Sequence, residues 1–220
     1  MRGVGGSPIL ARFVLMGLID VLLLDLDGVV RHYDPAVTEA IEKRCGLPPG
    51  KLIETAFQPR LLHAVTTGAM TRAEWVTRIA DAVGRVAATA WAAQRPAVDR
   101  DVLTTARAVR DSGVRVCLLT NGTDRVPAEL AELGIVDDFD AVFNSATIGV
   151  AKPDLRVFMH VLRTLQVDRS AVLFLDDSPG HVRSAAAVGM RTQVFRTASD
   201  LTGACSSYGL LTAGAAHRTE

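Results

Sequence analysis

Residues 21–30 read Val21-Leu22-Leu23-Leu24-Asp25-Leu26-Asp27-Gly28-Val29-Val30, an apolar run that meets two carboxylates one residue apart and then a glycine. A short, continuous apolar run fits a strand buried on both faces of a parallel sheet. In open sheets of that kind ligands bind beyond the C-terminal strand ends, which is where Asp25 and Asp27 fall. Residues two apart share a face of a strand, and a bend at Gly28 brings both carboxylates to one site. An Asp-x-Asp at a strand end also reads as two solvated side chains, and the choice between the readings depends on the rest of the chain.

From Asp99 onward the pattern alternates. It predicts a helix to Ser112, a strand over 114–119, a helix over 124–133, a strand over 140–143, a helix over 154–166, a strand over 171–175, a helix over 179–188 and a strand over 192–195. Such alternation implies right-handed βαβ units and a parallel sheet covered by helices on both faces. With the strand at 21–26 the expected fold is α/β, a doubly wound, five-stranded parallel sheet.

Residues 32–96 separate the first strand from that series and carry no strand pattern. Asp34 is an N-cap with Pro35 at the first helical position, and Gly46-Leu47-Pro48-Pro49-Gly50 ends the helix after Cys45. Further helices are expected at about 51–57, 71–83 and 86–94. Thr71-Arg72-Ala73-Glu74 is a capping box, and Trp75, Ile79, Ala82 and Val83 form an apolar stripe that gives Trp75 a core role. The expected organisation is a flexible extension over 1–15, a catalytic core over 16–31 and 97–200, an inserted all-helical unit over 32–96, and a tail over 201–220 holding one short helix.

About half of the 220 residues are apolar, enough for one well-buried domain with an insertion, and 24 basic residues balance 24 acidic ones. No basic cluster argues for nucleic acid, and no apolar run reaches membrane-spanning length. Cys45, Cys117 and Cys205 are scattered, with no disulfide framework or zinc spacing, so a cytoplasmic protein with a small soluble ligand is expected. The apolar N-terminal stretch with Arg2 and Arg12 is broken by Asp20 and lacks a small-residue cleavage site, unlike a signal peptide. Nothing in the sequence specifies an oligomeric state.

Three further strand ends carry polar groups. The strand over 114–119 runs into Thr120-Asn121-Gly122, a hydroxyl and an amide beside a glycine that lets backbone N–H groups approach an anion; Asn-Gly is also an ordinary turn. Lys152, in Lys152-Pro153-Asp154, is one of only three lysines among the 24 basic residues. Its compact ammonium suits a site that faces both a carboxylate and a phosphate, although a lone lysine is also an ordinary surface residue. The strand over 171–175 ends in Asp176-Asp177, whose hard oxygens suit Mg²⁺ or, equally, cap the next helix.

Asp-x-Asp-Gly, Thr-Asn, Lys-Pro-Asp and Asp-Asp, in this order over about residues 20–196, resemble the four motifs of the haloacid dehalogenase-like hydrolase superfamily. Gly28-Val29-Val30, Ala56-Phe57-Gln58 and Thr66-Thr67-Gly68-Ala69-Met70-Thr71 are similar to the subgroup holding the phosphatase domain of soluble epoxide hydrolases and bacterial sugar-phosphate phosphatases. The resemblance implies a Rossmann-like core with a helical cap and a Mg²⁺-dependent phosphatase acting on a small phosphorylated metabolite. Asp25 would be the nucleophile that becomes an aspartyl-phosphate, and Asp27 the general acid and base. Thr120, Asn121 and Lys152 would hold the phosphate, with Lys152 also offsetting the charge of Asp25. Asp25, the Asp27 carbonyl, Asp177 and, directly or through water, Asp176 would bind the metal. The dehalogenases of the superfamily lack the second aspartate as acid/base, so Asp27 favours phosphoryl transfer. A sugar-phosphate phosphomutase and a phospho-accepting or binding module without turnover are the alternatives, disfavoured by the absence of a basic cluster in 32–96, by the order of the motifs and by the motifs being intact.

Family members commonly carry an acidic or hydroxyl residue shortly after the first glycine, where this chain has Val29-Val30-Arg31-His32-Tyr33. Arg31 and His32 read either as substrate contacts at the cap hinge or, more simply, as solvated linker. His63, His160 and His181 have no metal-ligand spacing, and His181, which follows the Asp-Asp turn, reads either as a hydrogen-bonding residue near the site or, more simply, as a helix-surface residue.

Overall fold

The computed structural model describes residues 18–211. Its centre is β1 (Val21–Leu24), all four residues of which are fully buried. β4 (Arg115–Thr120) pairs with one side of β1 and β6 (Val172–Asp176) with the other, both parallel. β5 (Ala141–Asn144) and β7 (Arg191–Val194) complete the order β5-β4-β1-β6-β7. The doubly wound, five-stranded parallel sheet is therefore as expected.

Strand alternation divides the core into two layers. Leu22 and Leu24 pack toward α6 (Arg100–Asp111), α7 (Val126–Leu133) and α11 (Ala198–Ser207), while Val21 and Leu23 pack toward α9 (Leu155–Leu165) and α10 (Pro179–Ala187). Burying each such leucine contributes roughly 1.5–3 kcal/mol, so the strand that carries Asp25 is among the most firmly held in the molecule.

Between β1 and α6 lies a helical unit of α1 (Pro35–Arg44), α2 (Lys51–Ala56), α3 (Pro59–Thr66), α4 (Arg72–Val83) and α5 (Arg85–Ala92). It has its own apolar cluster, including Ile41, Leu52, Val65 and Ile79. Trp75 belongs to this cluster, 8% exposed, with its indole N–H donating to the Ala56 carbonyl at 3.0 Å. Both halves of the Thr71/Glu74 capping box form.

Two features of this region differ from the sequence reading. Helix α3 has no strong start signal, because Gln58 makes no capping bond and only Pro59 marks the first turn. Short strands β2 (Arg31–His32) and β3 (Ala97–Val98) pair antiparallel at the two ends of the helical unit. At two residues each they are too short to show alternation. The expected extension over 1–15 and the end of the tail beyond residue 211 lie outside the described residues; α11 supplies the tail helix and buries Leu201, Ala204 and Cys205.

Candidate active site

The sheet order places the C-terminal ends of β4, β1 and β6 side by side. Asp25 directly follows β1, and its backbone N–H still donates to Leu175 O at 3.0 Å. The chain then folds back, with the Leu26 carbonyl accepting from the N–H groups of Val30 and Arg31 and Gly28 taking φ +83°. That left-handed turn ends the strand two residues before its expected limit.

Lys152, on the loop between α8 (Ser145–Ile148) and α9, reaches under these ends. Its Nζ lies 2.8 Å from Asp25 Oδ1 and 2.6 Å from Asp176 Oδ2, and donates to Leu119 O at 2.8 Å. All three ammonium protons are thereby used on a side chain with no exposure. Burial works against the Lys152 charge, but Asp25 and Asp176 outweigh it and hold the pKa above the ordinary lysine value. Burial drives Asp25 the other way, well above the usual carboxylate range, with Lys152 only partly opposing it.

Thr120 ends β4 and is 1% exposed. The Asn121 side chain is spent on the Lys152 backbone, donating to its carbonyl and accepting from its N–H, both at 2.8 Å. It fixes the lysine loop against the end of β4.

The two acids after β6 differ. Asp176 is fully buried and accepts from Lys152, from Ser178 N–H at 2.8 Å and from His181 Nδ1, 3.0 Å from each carboxylate oxygen. Burial acts to raise its pKa, but His181 and Lys152 prevail and lower it. Asp177 lies over Gly28, so close that a Cβ on that glycine would stand 2.3 Å from Asp177 Oδ2. Burial and the neighbouring Asp176 raise the Asp177 pKa.

His181 is thus not merely a helix-surface residue: it sits in the first turn of α10 and supports Asp176. Its five-residue offset from Asp176, on a helix opened by Pro179, was the available signal. Arg31 is likewise not a solvated linker residue. It is 4% exposed, with Nε 2.7 Å from Asp27 Oδ1, Nη2 3.2 Å from Asp27 Oδ2 and Nη1 3.0 Å from Glu129 Oε2. Glu129 in turn faces Arg72 of α4 at 3.7 Å. His32 remains exposed, 3.6 Å from Asp99.

Asp27, 43% exposed at its side chain, faces a cavity of about 1110 Å³ that runs from Asn121 and Arg31 into the helical unit.

The family model described as haloacid dehalogenase-like hydrolase matches residues 19–189. The chain belongs to this family. It is 29% identical over 210 residues to a bifunctional epoxide hydrolase of Rattus norvegicus, covering 82% of this chain and 37% of that protein. The chain thus spans little more than a third of the length of the curated epoxide hydrolases it matches. A phosphatase of Mycobacterium tuberculosis is 28% identical over 189 residues, covering 79% of this chain and 85% of the relative. Among solved structures, a HAD family enzyme of Bacteroides thetaiotaomicron, in complex with magnesium and inorganic phosphate, superposes with a TM-score of 0.69. It is 24% identical, over 81% of this chain and 94% of that one, and shares the fold.

The donor set of this haloacid dehalogenase-like hydrolase fits a divalent cation. Asp25, Asp176 and His181 each offer a ligand atom within 4.8 Å of the others, and Asp177 adds a carboxylate beside Gly28. Among the described residues, four carboxylates face only Lys152 and Arg31 as permanent cations, so a net negative site needs further positive charge before an anion can enter. The acceptor capacity of Asp176 is largely taken by its three donors, whereas Asp177 has no side-chain hydrogen-bond donor among the described residues. Asp25 and Asp177 are therefore the better-placed oxygens, with Asp176 behind them.

Proposed function

We propose that this hydrolase is a Mg²⁺-dependent phosphatase that cleaves a small phosphomonoester through an aspartyl-phosphate on Asp25. One observation carries the reading: a second carboxylate, Asp27, stands two residues from the buried nucleophile and faces the cavity where a leaving group would sit. A departing halide needs no proton, but a departing alkoxide does, and Asp27 is the group placed to give one.

Asp25 Oδ1 is held by Lys152 and by the Leu26 N–H at 2.7 Å, which leaves Oδ2 to attack phosphorus. The bond from phosphorus to the alcohol oxygen breaks as Asp27 protonates that oxygen. Asp27 then takes a proton from water, which attacks phosphorus and releases phosphate and the Asp25 carboxylate. Lys152 keeps Asp25 oriented and offsets its charge, while Thr120 and the backbone N–H groups at Asn121 and Gly122 receive phosphoryl oxygens. Asp25, the Asp27 carbonyl and Asp177, with Asp176 behind, would hold Mg²⁺, which supplies charge neutralisation and in-line alignment between two anions. The helical unit acts as a cap that excludes water from the site.

The name of the mycobacterial relative and the phosphate in the Bacteroides thetaiotaomicron complex support this reading. It is tested by phosphate release from p-nitrophenyl phosphate with and without Mg²⁺. Turnover that requires the metal and falls at least about 1000-fold in Asp25→Asn is expected; undiminished turnover by that variant would remove Asp25 as the nucleophile.

A further inference from the structure

The cavity that Asp27 faces has Ile53 and Phe57 in its walls and, next to Asp27, the charged side chains of Arg31, Glu129 and Arg72. With Asp27 these form a chain of alternating sign. Arg31 bonds both Asp27 oxygens and reaches Glu129 Oε2 with Nη1 at 3.0 Å, while Glu129 Oε1 lies 3.7 Å from Arg72 Nε. The edges of the Arg31 guanidinium are thus divided between two carboxylates, and the Tyr33 ring covers one of its faces, with the ring centroid 5.7 Å away.

A bidentate pair fixes a carboxylate only as well as the guanidinium is itself fixed. The side chain of Arg31 is long and jointed, and the contact at Nη1 is what stops its plane from turning. Glu129 gives that contact a rigid base, because it lies on α7 between Val126 and Leu130, both buried in the core.

The other oxygen of Glu129 belongs to the inserted helical unit. Arg72 opens α4, its backbone N–H donates to Asp124 Oδ1 at 2.7 Å just before α7, and its guanidinium also donates to the Ala92 carbonyl of α5. The same unit meets the core again at Gly68, where a Cβ would stand 2.2 Å from Ala146 O. Glu129 therefore joins the seated helical unit to the pair that holds Asp27.

We infer that Glu129 is a positioning residue that aims Asp27 through Arg31, and that Arg72 completes the aim by holding the second oxygen of Glu129. The inference rests on the phosphatase reading, in which Asp27 protonates the leaving alcohol. Loss of Glu129 or Arg72 lets the Asp27 carboxylate swing. A misaligned acid slows the departure of a strongly basic leaving group far more than that of a weakly basic one.

The test compares kcat/KM, with Mg²⁺, for phenyl phosphate and p-nitrophenyl phosphate, which are alike in shape but unequal in their need of a proton. Glu129→Gln, close to isosteric, cuts the value about fivefold for phenyl phosphate and under about twofold for p-nitrophenyl phosphate. Arg72→Gln, which keeps the backbone N–H on Asp124, cuts it about fourfold for phenyl phosphate. Because the residues act as one unit, Glu129→Gln costs under about 1.5-fold more in an Arg31→Lys background, and Arg72→Gln under about 1.5-fold more in a Glu129→Gln background. Glu132→Gln, on the same helix but paired with Arg125 at the surface, changes neither substrate. Equal losses on both substrates from Glu129→Gln, or additive losses in the double variants, would overturn the inference and leave the phosphatase reading standing. Release of phosphate from neither substrate by the parent would overturn both.

Discussion

Arg31 grips both carboxylate oxygens of Asp27, with Nε 2.7 Å from Oδ1 and Nη2 3.2 Å from Oδ2. The pair spans the turn made by Gly28, and Glu129 holds the third face of the guanidinium at 3.0 Å. Asp27 is therefore aimed by a residue four positions later in the chain rather than left to rotate in the cavity.

Arg31→Lys tests that arrangement. Lysine keeps the charge but cannot hold two oxygens in a plane, so the Asp27 carboxylate loses its alignment. For butyl phosphate, whose alkoxide must be protonated as it leaves, kcat is expected to fall about tenfold with KM little changed. For p-nitrophenyl phosphate, whose phenolate leaves without much help, the fall is expected to be under about threefold. Equal losses on both substrates would show that Arg31 does not act through Asp27.

Lys152 poses a stability problem of its own. Its removal leaves Asp25 without a counter-charge and Asp176 with His181 alone, in a site where Asp176 has no exposure. Breaking such a buried pair costs about 3–5 kcal/mol, so Lys152→Met is expected to melt roughly 10 °C below the parent when metal-free. Adding Asp25→Asn to that variant removes one of the stranded charges and is expected to restore at least about half of the loss. Calorimetry on the two single variants and the double variant measures this coupling directly.

The sheet and its polar strand ends were legible because they rest on local signals: unbroken apolar runs at 21–24 and 172–175, and polar groups where those runs stop. Lys152 stood out as a rare lysine, yet nothing local shows that it bridges Asp25 and Asp176, which are brought together only by the pairing of β1 with β6. Arg31 looked like linker because burial of a guanidinium depends on Asp27 and Glu129, the latter 98 residues away. The side chain of Asn121 was expected on the phosphate and is found on the Lys152 backbone, a contact set by the packing of two loops. The shape and polarity of the cavity are tertiary properties, and residues such as Ile53 and Phe57 carry no motif that announces them.

The thiols give a separate check on the packing. Burial pushes Cys117 up to about 11 and Cys205 up to about 12, while Cys45 is partly exposed. One rapid thiol per chain is therefore expected with a disulfide reagent at pH 8, and three after denaturation. The linked stability effect has a definite sign. Both thiols are protonated in the folded and unfolded chains below about pH 8, and as pH rises through the ordinary thiol value near 9 the unfolded chain ionises them first. Stability is thus expected to decline as pH rises from about 9 toward 12, and substituting both cysteines by alanine should flatten that part of the profile.

Gly28 and Asp177 connect the turn after β1 to metal binding. Gly28 has φ +83°, and a methyl group there would stand 2.3 Å from Asp177 Oδ2 and 2.8 Å from its Cγ. Gly28→Ala must therefore displace the Asp177 carboxylate as well as strain the backbone. If Asp177 binds Mg²⁺, saturating metal raises the melting temperature of the parent by several degrees, since a ligand at about 100 times its Kd adds about 2.7 kcal/mol. That rise is expected to disappear in Asp177→Asn and in Gly28→Ala. Gly113→Ala supplies the control for strain alone, because Gly113 has φ +92° and a methyl group there would meet nothing within 4 Å. It should melt lower than the parent yet keep the full rise with Mg²⁺. A Gly28→Ala variant that also keeps the rise would show that the metal does not need Asp177 where the fold has put it.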